Sequence, residues 1–359
     1  MKIAYTVGSL SGGGAERVVS RLANEMHKIG HEVAIFLIAD STVSYPIAEG
    51  VKIYPIQPKI QIRGLRYLFR QRVYKKAIKR FAPDVVVSFT AAVNIFVLSS
   101  LKNTKMKIIV SERNNPYVDP VSEKARKKRD KLYGKADGLV FQTADAQAYF
   151  SKTIQDKGIV IANPLEEGLP LPFEGEREKR IVTVGRLEPQ KNQKLLIDAF
   201  AKIATNFPDH QLEIYGEGKL RNELQAYIQA LGLKERVFLK GYHKDIIDKI
   251  YKAELFVLPS NYEGMSNALM EAMAIGLPVI STDHPIGGAK ELIESEINGL
   301  LVPVNNVEAL VEAMTTVLTN QVVQKKYSTN AIEIKKSLFI SEIAKEWLEF
   351  CNKIINRGC

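Results

Sequence analysis

Two carboxylates eight positions apart, Glu263 and Glu271, bracket a serine placed to cap a helix. Ser266 stands at the head of an apolar run that stops at Gly276, with Pro278 two residues on, which predicts a helix between two short strands at 255–258 and 279–280. Its N-terminus then opens at the C-terminal end of a strand, where an open α/β sheet binds its ligand and where unpaired N–H groups and the helix dipole favour an anion. Glu263 precedes the helix, and Glu271 shares a face with Asn267 four residues back. A phosphate at the helix start would have one carboxylate on each side. Neither could bind the phosphate, but each could accept hydrogen bonds from hydroxyls, and sugar hydroxyls meet that demand.

Further charge is offered by Val184-Gly185-Arg186-Leu187-Glu188-Pro189-Gln190-Lys191-Asn192, where Arg186 supplies a fork of donors and Lys191 a point charge, together suited to a diphosphate. Gly12, Gly13 and Gly14 at the opening of the first helix allow close backbone approach to an anion, although a plain tight turn would use the same residues. They are not the dinucleotide fingerprint: Gly8 and Gly12 are too far apart, and no convincing acidic residue ends the second strand. There is no Asp-x-Asp pair, and five scattered histidines do not make a metal site. The charge of a bound diphosphate is therefore expected to fall on Arg186, Lys191 and helix N-termini, with no metal and no other cofactor.

The context of the paired glutamates, Ser-Asn-Tyr-Glu-Gly-Met-Ser-Asn-Ala-Leu-Met-Glu-Ala-Met-Ala-Ile-Gly-Leu-Pro-Val-Ile from Ser260, resembles the signature of the retaining glycosyltransferases of family 4. The 184–192 phrase is similar to that family's diphosphate-binding loop. The resemblance implies the GT-B fold, with two Rossmann-like doubly wound α/β domains facing across a cleft and a C-terminal helix crossing back to the first domain. It also implies transfer of a hexose or N-acetylhexosamine from a UDP-sugar with retention. Glu263 would then hold the sugar hydroxyls and Glu271 the ribose. Gly264, Met265, Ser266 and Asn267 would hold the diphosphate with Arg186 and Lys191, and Gly13 and Gly14 would face it. Retention in the family is understood as front-face attack in which the departing phosphate oxygen takes the acceptor proton, while a nucleophilic Glu263 stays open. Many members carry a histidine near the reacting sugar in the loop that here reads Ser111-Glu112-Arg113-Asn114-Asn115-Pro116. Arg113 takes its place, and a guanidinium cannot act as a base near neutral pH, though it can hold a phosphate or a sugar oxygen.

Those residues need two domains to carry them. A chain of 359 residues is too long for one ordinary core, and a strand, glycine loop, helix and strand at 2–38 recur from residue 180 to 215. The Pro/Gly-rich stretch 163–172 reads as the linker. The expected division is an acceptor-side domain at 1–165, with 340–359 packing back on it, and a nucleotide-sugar domain at 166–339. Further parallel strands are expected at 84–87, 107–110, 138–141, 158–161, 237–239 and 299–302. Ile343, Trp347, Phe350 and Ile354 recur at helical spacing near the C-terminus. The only cysteines, Cys351 and Cys359, cannot build a disulfide framework, which points to a reducing, cytoplasmic setting. No secretory signal is visible, and the longest apolar run, 91–101, is about half the ~20 residues that span a bilayer.

Charge is unevenly shared: residues 1–165 hold 27 Lys/Arg and 13 Asp/Glu, residues 166–359 hold 23 and 27. Between 63 and 81 lie eight basic residues, among them Arg66, Arg70, Lys75 and Lys79, and no acid. Leu65, Leu68, Phe69, Val73, Ala77 and Phe81 recur there at steps of three and four, which predicts a basic amphipathic helix. Such a helix suits an anionic membrane surface, and a core-packed helix with a solvated basic side fits the same pattern. A second basic cluster runs from Lys124 to Lys131, and no nucleic-acid module accompanies either. The Ser-Glu-Arg-Asn-Asn-Pro stretch and this helix look similar to enzymes that extend polyprenyl-diphosphate-linked glycans. The partners expected are therefore a nucleotide sugar, a glycan or polyprenyl-linked acceptor and the inner face of the cell membrane, in bacterial surface polysaccharide biosynthesis. Alternatives are a soluble or protein acceptor, a non-catalytic sugar-nucleotide or lipid-binding protein, and a nicotinamide-dependent dehydrogenase.

Overall fold

The computed structural model describes residues 1–57 and 63–357, with only the backbone of residues 63 and 64; Cys359 lies outside the described residues. The chain divides into two compact units, Met1–Glu166 together with the chain from Leu338, and Glu167–Ser337. Each is built on one parallel sheet.

In the first unit the strands are β1 (Lys2–Val7), β2 (Glu32–Leu37), β3 (Lys52–Pro55), β4 (Val85–Phe89), β5 (Lys107–Ser111), β6 (Gly138–Phe141) and β7 (Gly158–Val160). They lie in the order β3-β2-β1-β4-β5-β6-β7, with Ile3 opposite both Val33 and Val85. In the second they are β8 (Glu178–Val184), β9 (Gln211–Tyr215), β10 (Val237–Gly241), β11 (Ala253–Leu258), β12 (Val279–Thr282) and β13 (Leu300–Val302), in the order β10-β9-β8-β11-β12-β13. Helices cover both faces of a doubly wound sheet, so central strands such as Val85–Phe89, apolar but for Ser88, show no alternation and are buried along their whole length. The order reverses beside β1 in one sheet and beside β8 in the other. That topology brings the loop after β1 next to the loop after β4, and the loop after β8 next to the loop after β11.

The C-terminal helix, Ile340–Asn356, belongs to the first unit. Ile343, Trp347, Phe350 and Ile354 form its buried stripe, and Trp347 lies against Phe89 at the end of β4, ring centroids 5.5 Å apart. Gly138 makes room for it, since a Cβ there would come within 2.9 Å of Phe350 and Ile354. Cys351 is buried on the same helix.

Two expectations need correction. β3 has no counterpart among the strands read from sequence: Lys-Ile-Tyr-Pro is a short edge strand, only partly buried and ended by a proline. The basic segment is a helix, Arg63–Phe81, but its packed face is Tyr74, Ile78 and Phe81. Leu65, Leu68 and Val73 face solvent, Leu68 at 53% exposure. Apolar side chains lie around this helix, so spacing alone did not select the face that meets the core.

Candidate functional site

In the second unit, β8 ends at Val184 and the chain turns through Gly185 into a short 3-10 turn, Pro189–Lys191, before the Gln193–Ile203 helix. An added Cβ on Gly216 would stand 2.0 Å from the Gly185 carbonyl oxygen, so this turn rests directly on the loop after β9. The loop after β11 lies beside it. Asn261 N–H donates to the Gln190 carbonyl (2.8 Å), its side chain donates to the Pro189 carbonyl (2.9 Å), and Asn192 Nδ2 donates to Asn261 Oδ1 (2.9 Å). Lys191 and Glu263 meet through this lacing, their ammonium and carboxylate in direct ion-pair contact. Ser260 Oγ also donates to Glu263 Oε1 at 2.7 Å, and Gln190 Nε2 to Oε2 at 3.3 Å.

Glu263 is buried, and burial alone raises a carboxyl pKa; the Lys191 ammonium and the Ser260 hydroxyl outweigh that and hold it below its ordinary value. It is an acceptor throughout the neutral range. Ser266 then caps the Asn267–Ala274 helix, its side chain accepting from Leu269 N–H at 3.5 Å, and Glu271 is buried one turn in. Met265 is buried, and the helix stops as expected, with Gly276 at φ 73°. Arg186 is placed differently. Its side chain is 63% exposed and reaches only Glu188, at 3.4 Å, so Lys191 and Arg186 leave one loop toward different surroundings.

The remaining sequence candidates lie in the first unit. Gly13 caps the Gly14–Lys28 helix, but Glu16 turns back onto that start: Oε2 accepts from Gly12 N–H (2.9 Å) and Gly13 N–H (2.8 Å), and Ser9 Oγ donates to Oε1 (2.7 Å). An anion at these amides has to displace that carboxylate. Arg113 follows β5, with its guanidinium over Phe89 (4.9 Å) and Trp347 (5.7 Å). One nitrogen, Nη1, donates to Asn163 Oδ1 at 3.1 Å, while buried Nε and Nη2 have no partner in the protein. Burial draws its pKa down to about 9, against the pull of Glu112, which leaves it charged at neutral pH. Neighbouring Asn114 folds onto its own turn, its Oδ1 accepting from Asn115 N–H at 2.9 Å.

Glu112 sits in a buried network that sequence did not reveal. Tyr133 donates to Glu112 Oε2 (2.9 Å), Asn94 Nδ2 donates to the Tyr133 oxygen (2.8 Å), and Arg129 Nη1 lies 4.0 Å from Oε2. Desolvation pushes the Glu112 carboxyl up to about 7 despite Arg129. In the sequence Arg129 is one of a run of exposed-looking basic residues; in the structure it is fully buried. On the other unit, Gln190 and Ser260 stand within the quoted stretches but have no evident role there, and His284 lies outside them; their part becomes visible only when the loops are brought together.

Among the described residues, no group of three or more His, Cys, Asp or Glu could hold a metal ion, and no helix is long and apolar enough to cross a membrane.

Two Rossmann-like doubly wound sheets make this a protein of GT-B architecture, and the second unit presents a capped helix start with a Lys-held carboxylate beside it. Residues 171–334 match the family described as Glycosyl transferases group 1, and residues 12–167 match Glycosyltransferase Family 4. The chain belongs to family 4 of the glycosyltransferases, retaining enzymes that transfer a sugar from a nucleotide sugar. It is 30% identical, over 97% of its length and 99% of the relative's, to an N-acetylgalactosamine-N,N'-diacetylbacillosaminyl-diphospho-undecaprenol 4-alpha-N-acetylgalactosaminyltransferase of Campylobacter jejuni. A second enzyme of that organism, a GalNAc-alpha-(1->4)-GalNAc-alpha-(1->3)-diNAcBac-PP-undecaprenol alpha-1,4-N-acetyl-D-galactosaminyltransferase, is 28% identical over 99% of both chains. Among solved structures, Anabaena Alr3699/HepE in complex with UDP-glucose shares the fold with a TM-score of 0.85 at 20% identity, over 98% of this chain and 100% of that one. Staphylococcus aureus TarM does so at 0.81 and 15%, over 98% and 99%.

Proposed function

We propose that this enzyme transfers a hexose or N-acetylhexosamine from a UDP-sugar to a polyprenyl-diphosphate-linked glycan, in the assembly of a bacterial surface polysaccharide or related glycan. The observation that carries the donor half is the ion pair of partly exposed Lys191 with buried Glu263 beside the Ser266-capped helix. Held ionised, Glu263 accepts hydrogen bonds from the donor's sugar hydroxyls. Lys191 carries three donors and spends one on Glu263, so the same ammonium reaches a β-phosphate oxygen. Arg186, exposed and loosely paired, turns onto that phosphate, and the amides of residues 264–267 add to it. Glu271 takes the ribose. In the transfer the bond from the anomeric carbon to the phosphate oxygen breaks, the acceptor oxygen bonds to that carbon on the same face, and its proton passes to the leaving phosphate. None of these groups requires a metal, and activity should persist in EDTA.

The acceptor half is supported by the full-length relatives, both named for undecaprenol-linked glycans, and by one surface of the first unit. Leu65, Leu68 and Val73 are exposed on the Arg63–Phe81 helix among Arg66, Arg70, Lys75 and Lys79. Tyr117 and Val121 are exposed just before the Glu123–Tyr133 helix with its Lys124, Lys127 and Lys128, Val121 at 90%. Apolar side chains among cations suit an anionic leaflet. Each basic residue near such a surface is worth roughly 1 kcal/mol within a Debye length. On this reading the enzyme is peripheral on the cytoplasmic face, and Arg113, with two unpaired nitrogens beside Glu112 and Asn114, meets the acceptor's diphosphate or a sugar oxygen. Wild-type protein should co-sediment with phosphatidylglycerol vesicles at low salt and be released at high salt. Changing Arg66, Arg70, Lys75 and Lys79 together to Glu should abolish sedimentation while sparing transfer to a short soluble acceptor. Wild-type protein that ignores anionic vesicles at low ionic strength would make a soluble acceptor the better reading.

A further inference from the structure

The loop that follows β12, Asp283-His284-Pro285-Ile286-Gly287-Gly288, carries a polar group to which no role has been given. The loop is tied closely to the Glu263 segment. Thr282 Oγ1 donates to the Ser260 carbonyl at 2.5 Å, and Asp283 N–H donates to the Val302 carbonyl at 2.7 Å. A Cβ on Gly288 would lie 1.6 Å from the Gly264 carbonyl oxygen, so the two loops touch backbone to backbone. Ile286 is held at φ 80°, a left-handed conformation that a β-branched residue adopts only where its surroundings impose it.

His284 is 2% exposed. Its Nδ1 faces the Pro285 carbonyl at 3.4 Å, which places the ring proton on Nδ1 and makes Nε2 an acceptor. That Nε2 is buried and has no hydrogen-bond partner in the protein, whereas buried polar atoms are almost always paired. The imidazole lies within electrostatic reach of both Glu263 and Lys191, and burial keeps it neutral. A second acceptor, uncharged and rigidly mounted, therefore stands beside the carboxylate assigned to the sugar.

We propose that His284 Nε2 accepts a hydrogen bond from a hydroxyl or amide N–H of the transferring sugar, making His284 a specificity-determining residue for the donor. The proposal rests on the reading of this unit as a UDP-sugar site. It predicts an effect on the sugar part of the donor, separate from the diphosphate and ribose contacts proposed for Lys191, Arg186 and Glu271.

The test is isothermal titration of wild type, His284→Leu and His284→Gln with UDP and with UDP-N-acetylgalactosamine, UDP-N-acetylglucosamine, UDP-galactose and UDP-glucose, each variant first checked for an unchanged melting transition. Leu fills the space without an acceptor, whereas Gln can return an oxygen near the Nε2 position. UDP affinity should stay within about twofold throughout. Affinity for the sugar nucleotide that wild type binds best should fall roughly 5- to 10-fold in His284→Leu and recover most of that loss in His284→Gln. Equal weakening of UDP and UDP-sugar, no weakening of either, or Gln behaving like Leu would overturn the assignment while leaving the donor site intact. Wild type that binds neither UDP nor any of the four would remove the donor site and this role with it.

Discussion

Lys191→Ala should lower kcat by about 10²–10³, the loss associated with one charge-assisted donor aimed at a developing anion, and should also move the pH profile of what remains. Lys191 is the largest influence opposing the rise that burial imposes on Glu263. Without it, a buried carboxylate keeps only Ser260 and Gln190 as donors, and its pKa climbs. The wild-type Glu263 pKa lies below its ordinary 4.5. The pair therefore stabilises the fold above that pH, and its contribution disappears as pH falls through the folded-state value. The variant should need a higher pH to reach its own plateau of activity. Arg186→Ala should lower kcat without that pH shift, because Arg186 does not touch Glu263. Steady-state rates between pH 5 and 9 distinguish the two. Lys191→Ala within a few fold of wild type, or with an unmoved profile, would contradict the role of the pair.

Arg129→Met should cost about 3–5 kcal/mol of stability at pH 8, the range expected when one member of a buried ion pair is removed. The guanidinium is fully buried between Tyr149 and Phe150, at 5.0 and 5.1 Å. It donates to the Pro116 carbonyl at 2.9 Å and to the Asp119 carbonyl, so it holds the loop that leads away from Arg113. Its loss strands Glu112. Because the folded-state pKa of Glu112, about 7, lies above the unfolded one, the folded form binds more protons, and this group's contribution to stability declines as pH rises from about 4.5 to about 7. Without Arg129 that decline extends to higher pH. The deficit should therefore be smaller at pH 5.5, where Glu112 is protonated, than at pH 8. Urea unfolding at both values checks it, and a pH-independent deficit, or one under about 1 kcal/mol at pH 8, would go against the network.

The parts of this molecule that sequence made legible are those decided locally. Parallel strands such as β4, apolar but for Ser88, stand out in the sequence, and the Ser266 cap with Gly276 beyond the helix end is written in adjacent residues, so the switch-point loops could be placed before their neighbours were known. What escaped was decided by tertiary contact. Arg129 sits in a run of surface lysines and is buried only because the Glu123–Tyr133 helix turns it inward. Glu16 looks like an ordinary first-turn acid, yet it occupies the glycine amides. His284 is a lone histidine after a strand until Thr282 and Gly288 draw its loop onto Glu263. The basic helix shows the same limit: its charges were plain, but which apolar residues met the core was settled by the helix Ala91–Ser100 against which Tyr74 and Tyr67 pack, through Phe96.

The proposed reaction transfers a sugar from a UDP-sugar to a lipid-linked acceptor at the Glu263 and Lys191 centre. Its most direct test incubates the purified enzyme with a polyprenyl-diphosphate-linked oligosaccharide and a panel of UDP- and GDP-sugars, and follows released nucleotide and acceptor mass together. UDP should appear in step with an acceptor heavier by one hexose or N-acetylhexosamine, and both signals should vanish in Glu263→Ala. Release of GDP alone, or nucleotide release with no gain in acceptor mass from any donor in the panel, would contradict transfer from a UDP-sugar.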